Sequence, residues 1–202
     1  MRSKVREAIR TLKKGGIVIF PTETAFGIGC RMDNKRAVGR LIKIRGRKKE
    51  KPFLVLVANL QMAKKYWQKL PVRVEDLAKK FWPGPLTIVY YCRTDFVPSE
   101  VRAGGKTLGV RMPDHKIILN LIEGVGIPLL APSANFAGEE TPYKFSDLNP
   151  NFLRLVDFVL EAPCGKYKKP STIIDCTQKP WKILREGAIA KEKIFRQLKP
   201  SR

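Results

Sequence analysis

The stretch from Gly16 to Cys30, GIVIFPTETAFGIGC, constrains the fold more than any other part of the sequence. Its first apolar run, residues 17–20, is typical of a short strand that is buried on both faces. Pro21 ends this strand because proline has no N–H to donate to a sheet. The two hydroxyls and one carboxylate of residues 22–24 follow directly. They therefore lie at the strand edge where open α/β sheets bind ligands.

Length and composition predict one folded domain over residues 1–202. Apolar residues make up 44% of the chain and charged residues 29%, which excludes a disordered or fibrous protein. No apolar run approaches the roughly 20 residues of a membrane span, and the polar N-terminus lacks the apolar core of a signal peptide. We expect a cytoplasmic protein without a membrane interaction.

The cysteines and the single histidine argue against several kinds of site. Four cysteines are widely spaced and form no CxxC pair, so we expect neither a zinc site nor any other metal site built from side chains. Disulfides are equally unsupported in a cytosolic protein. Because His115 follows Asp114, an expected helix N-cap, a Ser-His-Asp triad is improbable.

The charge balance indicates a polyanionic partner. The net charge is +22, from 40 Lys and Arg against 18 Asp and Glu. A positive field of this size favours a nucleotide, pyrophosphate or RNA. The alternative is that many of the lysines only solvate the surface.

Apolar periodicity and turn residues predict alternating helices and strands. The expected helices cover 3–14, a segment capped by Asp33, a segment capped by Asn59 and ending at Lys69, and 72–81, 114–123 and 192–198. The expected strands cover 17–20, 53–57, 86–92, 107–112, 127–131, 155–160, 171–175 and 181–184. Several of these strands end in Thr, Ser, Asn or Arg. The pattern predicts an α/β fold, a twisted sheet of mixed parallel and antiparallel strands flanked by helices, with a positively charged cleft.

Seven segments occur in an order that resembles one known family. They are PTETAFGIGC, RGRKKEKPF, WPGPLT, TLGVRMPDH, APSANFAG, STIIDCT and ILREGAI. Together they resemble the YrdC/Sua5 (TsaC) family across nearly the whole chain, in its short, single-domain form. The resemblance implies a YrdC-like fold.

The resemblance also implies an activity, that of a threonylcarbamoyl-AMP synthase, which is a nucleotidyltransferase. Such an enzyme uses L-threonine, bicarbonate and ATP with Mg²⁺, and releases pyrophosphate. Partner proteins then use the threonylcarbamoyl-AMP for t6A37 modification of tRNA. Weak binding of tRNA by the enzyme itself is compatible with the net charge.

The family's motifs assign roles to individual residues of this chain. The expected L-threonine contacts are Thr22, Thr24, Arg111 and Ser171. The expected ATP contacts are Arg45, Arg47, Lys51, Thr107, Ser133, Asn135, Thr141 and Arg185. The residues expected to take part most directly in catalysis are Arg45, Arg47, Ser133 and Asn135.

Two alternatives stay open at the level of sequence. One is a YciO-like paralog without the activity, although that branch loses the SxN motif and a second basic residue, which Ser133, Asn135 and Arg47 supply here. Arg45 stands where the family usually has lysine, which keeps the charge but not the compact ammonium. The other alternative is a non-catalytic RNA-binding module.

Overall fold

The computed structural model describes residues 2–46 and 51–197. The helices of this part of the chain are α1 (Arg2–Lys13), α2 (Lys35–Arg45), α3 (Leu60–Tyr66), α4 (Val72–Phe81), α5 (Ser99–Arg102), α6 (Lys116–Val125), α7 (Pro150–Leu153) and α8 (Lys191–Gln197). The strands are β1 (Val18–Phe20), β2 (Gly27–Gly29), β3 (Leu54–Leu56), β4 (Leu86–Tyr91), β5 (Thr107–Arg111), β6 (Leu129–Leu130), β7 (Phe158–Val159), β8 (Thr172–Asp175) and β9 (Lys182–Arg185).

The strands form two sheets with mixed pairing. The smaller sheet has the order β2-β1-β7 and the larger the order β6-β3-β5-β4-β8-β9. Strands β1 and β7, β3 and β5, and β4 and β8 pair in parallel, whereas β1 with β2, β3 with β6, β4 with β5, and β8 with β9 pair antiparallel. The predicted α/β class with mixed strands is confirmed. The expected single sheet is instead divided in two, because β1 pairs with β2 and β7 and not with the longer strands.

The glycine-rich half of the opening stretch is a strand, which the sequence reading did not predict. Gly27 and Gly29 pair with β1, and isolated bridges join Gly27 to Ser133 and Arg31 to Leu129. A Cβ on Gly29 would lie 1.9 Å from the carbonyl oxygen of Leu130. Glycine is therefore required where the backbones of the two sheets approach each other.

The larger sheet has one face in the core and one face lining a cleft, because side chains alternate along each strand. The core-facing residues include Val55, Leu108, Val110, Ile88 and Ile174, which cluster with apolar residues of α3 and α4. The cleft-facing residues of the same strands are Leu54, Leu56, Val89, Thr107, Gly109, Arg111, Ile173 and Asp175. The side chains of Thr107, Arg111 and Asp175 thus lie on the cleft side of the sheet.

Two predicted helix caps are wrong. Asn34, not Asp33, caps α2, and its side-chain oxygen accepts a hydrogen bond of 2.9 Å from the backbone N–H of Ala37. The Asp33 carboxylate instead accepts two hydrogen bonds from the Arg31 guanidinium. At α6 the N-cap is His115 and not Asp114, and no side chain caps the helix. Both errors concern adjacent polar residues, between which sequence alone cannot choose.

Other predicted elements differ mainly in length. Helix α4 has the predicted bounds, and Asn59 caps α3 as expected, although that helix ends at Tyr66. The strand expected over 155–160 is reduced to β7. Among the helices of the described ranges, none combines the length and the apolar character needed to cross a membrane.

A pair of glycine substitutions tests the close approach of the sheets. Gly29→Ala should lower the free energy of unfolding by roughly 3 kcal/mol or more, because the new Cβ meets backbone that cannot move aside cheaply. Gly39→Ala is the control, since Gly39 lies within α2 and its Cβ would meet nothing within 4 Å. This control should raise the free energy of unfolding by about 0.5–1 kcal/mol. Urea unfolding followed by circular dichroism measures both, and equal stabilities would contradict the prediction.

Candidate active site

A cleft of about 500 Å³ lies against the open face of the larger sheet. Loop residues that precede or follow the strands close its sides, among them the segment between β1 and β2 and the segment after β6. The structure brings together nine of the predicted site residues there, namely Thr22, Thr24, Arg45, Thr107, Arg111, Ser133, Thr141, Ser171 and Arg185. Three of these are arginines, namely Arg45, Arg111 and Arg185.

Thr22 organises the loop between β1 and β2. Its hydroxyl donates to the carbonyl oxygen of Ala25 at 2.7 Å and accepts from the backbone N–H groups of Thr24 and Ala25. The Thr24 hydroxyl lies 2.9 Å from that of Thr22. Both threonines line the cleft, but the Thr22 hydroxyl is occupied within the loop. Its main effect is therefore to fix the loop in a turn of the kind that Ser and Thr hydroxyls stabilise.

Arg45 at the end of α2 holds the loop that contains Ser133 and Asn135. Its Nη1 donates to the Ser133 carbonyl oxygen and to the Asn135 side-chain oxygen, each at 2.6 Å, and also contacts the Asn135 carbonyl oxygen. The Asn135 amide nitrogen donates to the carbonyl oxygen of Glu139. Asn135 is only 7% exposed and is not among the residues that line the cleft. The Asn135 side chain is therefore held between Arg45 and Glu139 and does not line the cleft.

Arg185 and Ser171 form a second network at the other wall. The Arg185 guanidinium donates twice to the Ser171 carbonyl oxygen, at 3.0 and 2.9 Å, and once to the Ser171 hydroxyl at 3.1 Å. The Ser171 hydroxyl also lies 2.8 Å from the buried hydroxyl of Thr87. Partial burial, followed by the positive charge of Arg111, lowers the pKa of Arg185 from its usual value. Arg111 and Arg185 are therefore close enough to repel each other.

The charged partner of Arg111 is Glu23, whose carboxylate the sequence placed at the ligand-binding edge of the strand without a specific role. Arg111 Nη1 donates to a Glu23 carboxylate oxygen in a buried ion pair. The side chains are 8% and 1% exposed. The sequence did contain a signal for this pair. Glu23 is a carboxylate inside a stretch that is otherwise apolar or hydroxylic, and a buried acid needs a specific partner.

Asp175 is another cleft residue to which the sequence reading gave no role. Its Oδ1 accepts hydrogen bonds from the backbone N–H and the hydroxyl of Thr177, at 2.9 and 2.7 Å.

Three hydroxyls that line the cleft, those of Thr107, Ser133 and Thr141, have no hydrogen-bond partner within ranges 2–46 and 51–197. Those three hydroxyls are available to a ligand.

The other two predicted basic contacts are Lys51 and Arg47. Lys51 is described, but it is exposed and does not line the cleft. Arg47 lies outside the described residues. In the part of the chain that the structure describes, no group of three or more His, Cys, Asp or Glu side chains could hold a metal ion.

Comparison with known proteins places the chain in a family. The Sua5/YciO/YrdC family model, described as telomere recombination, matches residues 10–187. This chain belongs to the Sua5/YciO/YrdC family. A relative from Pyrococcus abyssi, a threonylcarbamoyl-AMP synthase, is 35% identical over 191 residues, which are 95% of this chain and 56% of the relative. The chain therefore spans about half the length of this Sua5/YciO/YrdC relative.

Solved structures of the Sua5/YciO/YrdC family share the fold. The crystal structure of P. abyssi Sua5 complexed with L-threonine has a TM-score of 0.94 and 34% identity, covering 98% of this chain and 58% of that one. The crystal structure of E. coli YciO has a TM-score of 0.84 and 26% identity, covering 96% of this chain and 94% of that one. Because Sua5 and YciO are both similar to this chain, the fold alone does not distinguish these branches.

The interaction of Arg45 with the loop that follows β6 predicts a local effect of substitution. Arg45→Met removes donors from three oxygens of Ser133 and Asn135, and should cost roughly 2 kcal/mol of stability because charge-assisted hydrogen bonds are removed. Amide hydrogen exchange over residues 133–139 should become faster. The control Arg31→Met breaks a partly exposed pair with Asp33 and should cost under about 1 kcal/mol. Unchanged exchange in the Arg45 variant would show that this arginine does not hold the loop.

Proposed function

We propose that this chain is an L-threonylcarbamoyladenylate synthase, which forms threonylcarbamoyl-AMP and pyrophosphate from L-threonine, bicarbonate and ATP. The observation that carries the proposal is the composition of the cleft. It gathers three arginines and several hydroxyls from segments far apart in the sequence. The name of the P. abyssi relative and the threonine complex of P. abyssi Sua5 support the same reaction.

The proposed chemistry suits a site without a covalent nucleophile. The threonine amine attacks the carbon of bicarbonate, water leaves, and a carbamate forms. A carbamate oxygen then attacks the α-phosphorus of ATP, and the bond from that phosphorus to the pyrophosphate oxygen breaks. These steps need reactants held in line, cations near the phosphate oxygens and exclusion of water from a labile product.

We assign the amino acid to the end of the cleft that contains Arg111. A guanidinium can bind a carboxylate through two N–H groups at once, which suits the threonine carboxylate. Thr22 shapes the adjoining loop, and Thr24 and Ser171 lie beside it. The residues Thr22, Thr24 and Ser171 are almost completely buried. A threonine ligand bound next to them would therefore be largely closed off from water.

We assign the nucleotide to the remainder of the cleft. The hydroxyls of Ser133, Thr107 and Thr141 can donate to phosphate or ribose oxygens, and Arg45 and Arg185 supply positive charge. Asn135 acts through the loop that carries Ser133. For Arg47 and Lys51 the assignment to the triphosphate depends on the motif match alone.

Magnesium would enter with the triphosphate. Mg²⁺ in such sites is held by one or two carboxylates together with substrate phosphates and water. Among the residues described as lining the cleft, Asp175 is the carboxylate, and one of its oxygens is bound to Thr177. When bound, the ion would neutralise charge on the phosphate oxygens.

Partner proteins would consume the product to make t6A37 in tRNA, which places the reaction in the cytoplasm. A YciO-like paralog is the alternative within the family. The presence of Ser133, Asn135 and Arg47 favours the synthase, because that branch lacks the corresponding motif residues.

Mass spectrometry of reaction mixtures tests the proposal. The chain incubated with Mg²⁺, ATP and bicarbonate should form a carbamoyl-adenylate only when L-threonine is added, with one pyrophosphate released per adenylate. Alanine and valine serve as control amino acids, and omission of bicarbonate should abolish the product. No adduct under any condition would contradict the synthase and favour a paralog or a non-catalytic module.

The surface beside the cleft suggests weak binding of tRNA to the same protein. Lys166, Lys168 and Lys169 are exposed and immediately precede Pro170 and Ser171, which line the cleft. Such binding would depend little on sequence and would keep the enzyme near the proteins that use its unstable product. It would not make RNA a substrate.

The salt dependence of tRNA affinity tests this surface. Replacing Lys166, Lys168 and Lys169 by Gln should reduce the slope of log K against log salt, by about 0.9 for each phosphate that the protein no longer neutralises. A control that replaces Lys4, Lys13 and Lys14 by Gln removes the same charge from α1 and its end. Adenylate synthesis should be unchanged in both. Equal slopes for the two triple variants would instead indicate a merely solvated surface.

A further inference from the structure

Glu23 is a buried acid, and residues 2–46 and 51–197 supply a side-chain partner to one of its two carboxylate oxygens. One oxygen accepts the hydrogen bond from Arg111 Nη1, whereas Oε2 is buried and has no hydrogen-bond partner in the described part of the chain. The ion pair is almost closed to solvent. Removing two charges from water costs free energy that cancels much of their mutual attraction. Such a pair is therefore weak evidence for stability, and its presence needs another explanation.

A segment of backbone seals this pair from the outside. The backbone N–H of Gly165 donates to the Thr22 carbonyl oxygen and that of Tyr167 to the Glu23 carbonyl oxygen, both at 3.0 Å. Gly165 has φ +75°, and a Cβ there would lie 2.8 Å from the Tyr143 carbonyl oxygen. Burial is also the main cause that raises the pKa of Cys164 to about 11. Glu23 therefore lies in a site from which water is largely excluded.

Arg111 lies between this sealed carboxylate and the cleft. Arg111 lines the cleft and Glu23 does not. A guanidinium carries five N–H groups, and the Arg111 guanidinium makes one hydrogen bond to a described residue, which the Glu23 carboxylate accepts. The remaining donors are therefore available on the cleft side.

We propose that Glu23 is a positioning residue that holds Arg111 with its unoccupied N–H groups turned into the cleft, and so makes the site select amino acids with a free α-carboxylate. The inference rests on the proposed function for the identity of the ligand. It adds a residue that acts through Arg111 without touching the substrate. Selectivity arises because two N–H groups of a fixed guanidinium fit the two oxygens of a planar, negatively charged carboxylate. A neutral amide carries no charge that the guanidinium could attract.

Calorimetric titration with L-threonine and with L-threonine amide, in the absence of nucleotide, tests this role. The wild-type chain should bind threonine more tightly than the amide. Glu23→Gln keeps the shape and an acceptor oxygen but loses the charge. It should weaken threonine binding about tenfold or more and reduce the ratio of the two affinities by a similar factor. If Glu23 had only a structural role, its replacement would weaken the binding of both ligands equally and leave the ratio of their affinities unchanged.

Two further variants keep the test decisive. Glu23→Asp preserves the buried charge but withdraws the carboxylate by about 1.5 Å, so it should fold and show an intermediate loss of selectivity. Asp157→Asn is the matched control, since it removes the carboxylate of the Arg40–Asp157 pair, which does not line the cleft. That control should leave the ratio at its wild-type value even if the thermal midpoint falls.

The outcomes distinguish a failure of the positioning role of Glu23 from a failure of the proposed synthase function. Wild-type selectivity retained in both Glu23 variants would overturn the positioning role and leave the proposed synthase intact. A wild-type chain that binds no threonine in the titration, and forms no adenylate, would overturn both. A reduced ratio in the Glu23 variants, with the Asp157 control unchanged, is the expected result.

Discussion

The buried ion pair between Glu23 and Arg111 is the contact on which the arrangement of the cleft depends. It joins the loop after β1, in the smaller sheet, to the last residue of β5 in the larger sheet. The two residues are 88 positions apart in the chain. Charges that are this deeply buried must stay paired, because separating them would leave an uncompensated charge in a medium of low polarity. The pair therefore fixes how the loop is set against the sheet.

Hydroxyl groups in the cleft and next to its lining residues divide into two kinds with different consequences. Thr22 and Thr172 use their hydroxyls to hold local backbone, in the latter case by bonding the Ile189 carbonyl oxygen at 2.6 Å and the backbone N–H groups of Gly187 and Ile189. Ser133 and Thr107 have hydroxyls without such partners among the described residues. The first kind makes the walls rigid, so the second kind can meet a ligand without further ordering.

The sequence predicted the family and all but one of the polar side chains described as lining the cleft, the exception being Asp175. The ordered motifs led correctly to the α/β fold with mixed strands, and nine of the residues that they singled out line the cleft. Asn135 was expected to contact a ligand, and its side chain is bonded to Arg45 and to the Glu139 carbonyl oxygen. Glu23 was visible in the sequence without a role, since its partner lies in a distant strand.

What the sequence determined by itself is the local pattern. Apolar runs ending in Pro, Thr, Ser or Arg fixed where strands stop and which groups follow them, because these properties depend on neighbouring residues only. Tertiary structure alone decided that the strands form two sheets, that Gly29 meets the Leu130 backbone, and that Arg111 faces Glu23 on one side and the cleft on the other. These features arise from contacts between distant segments, where packing and the cost of burying charge select one arrangement that no local pattern specifies.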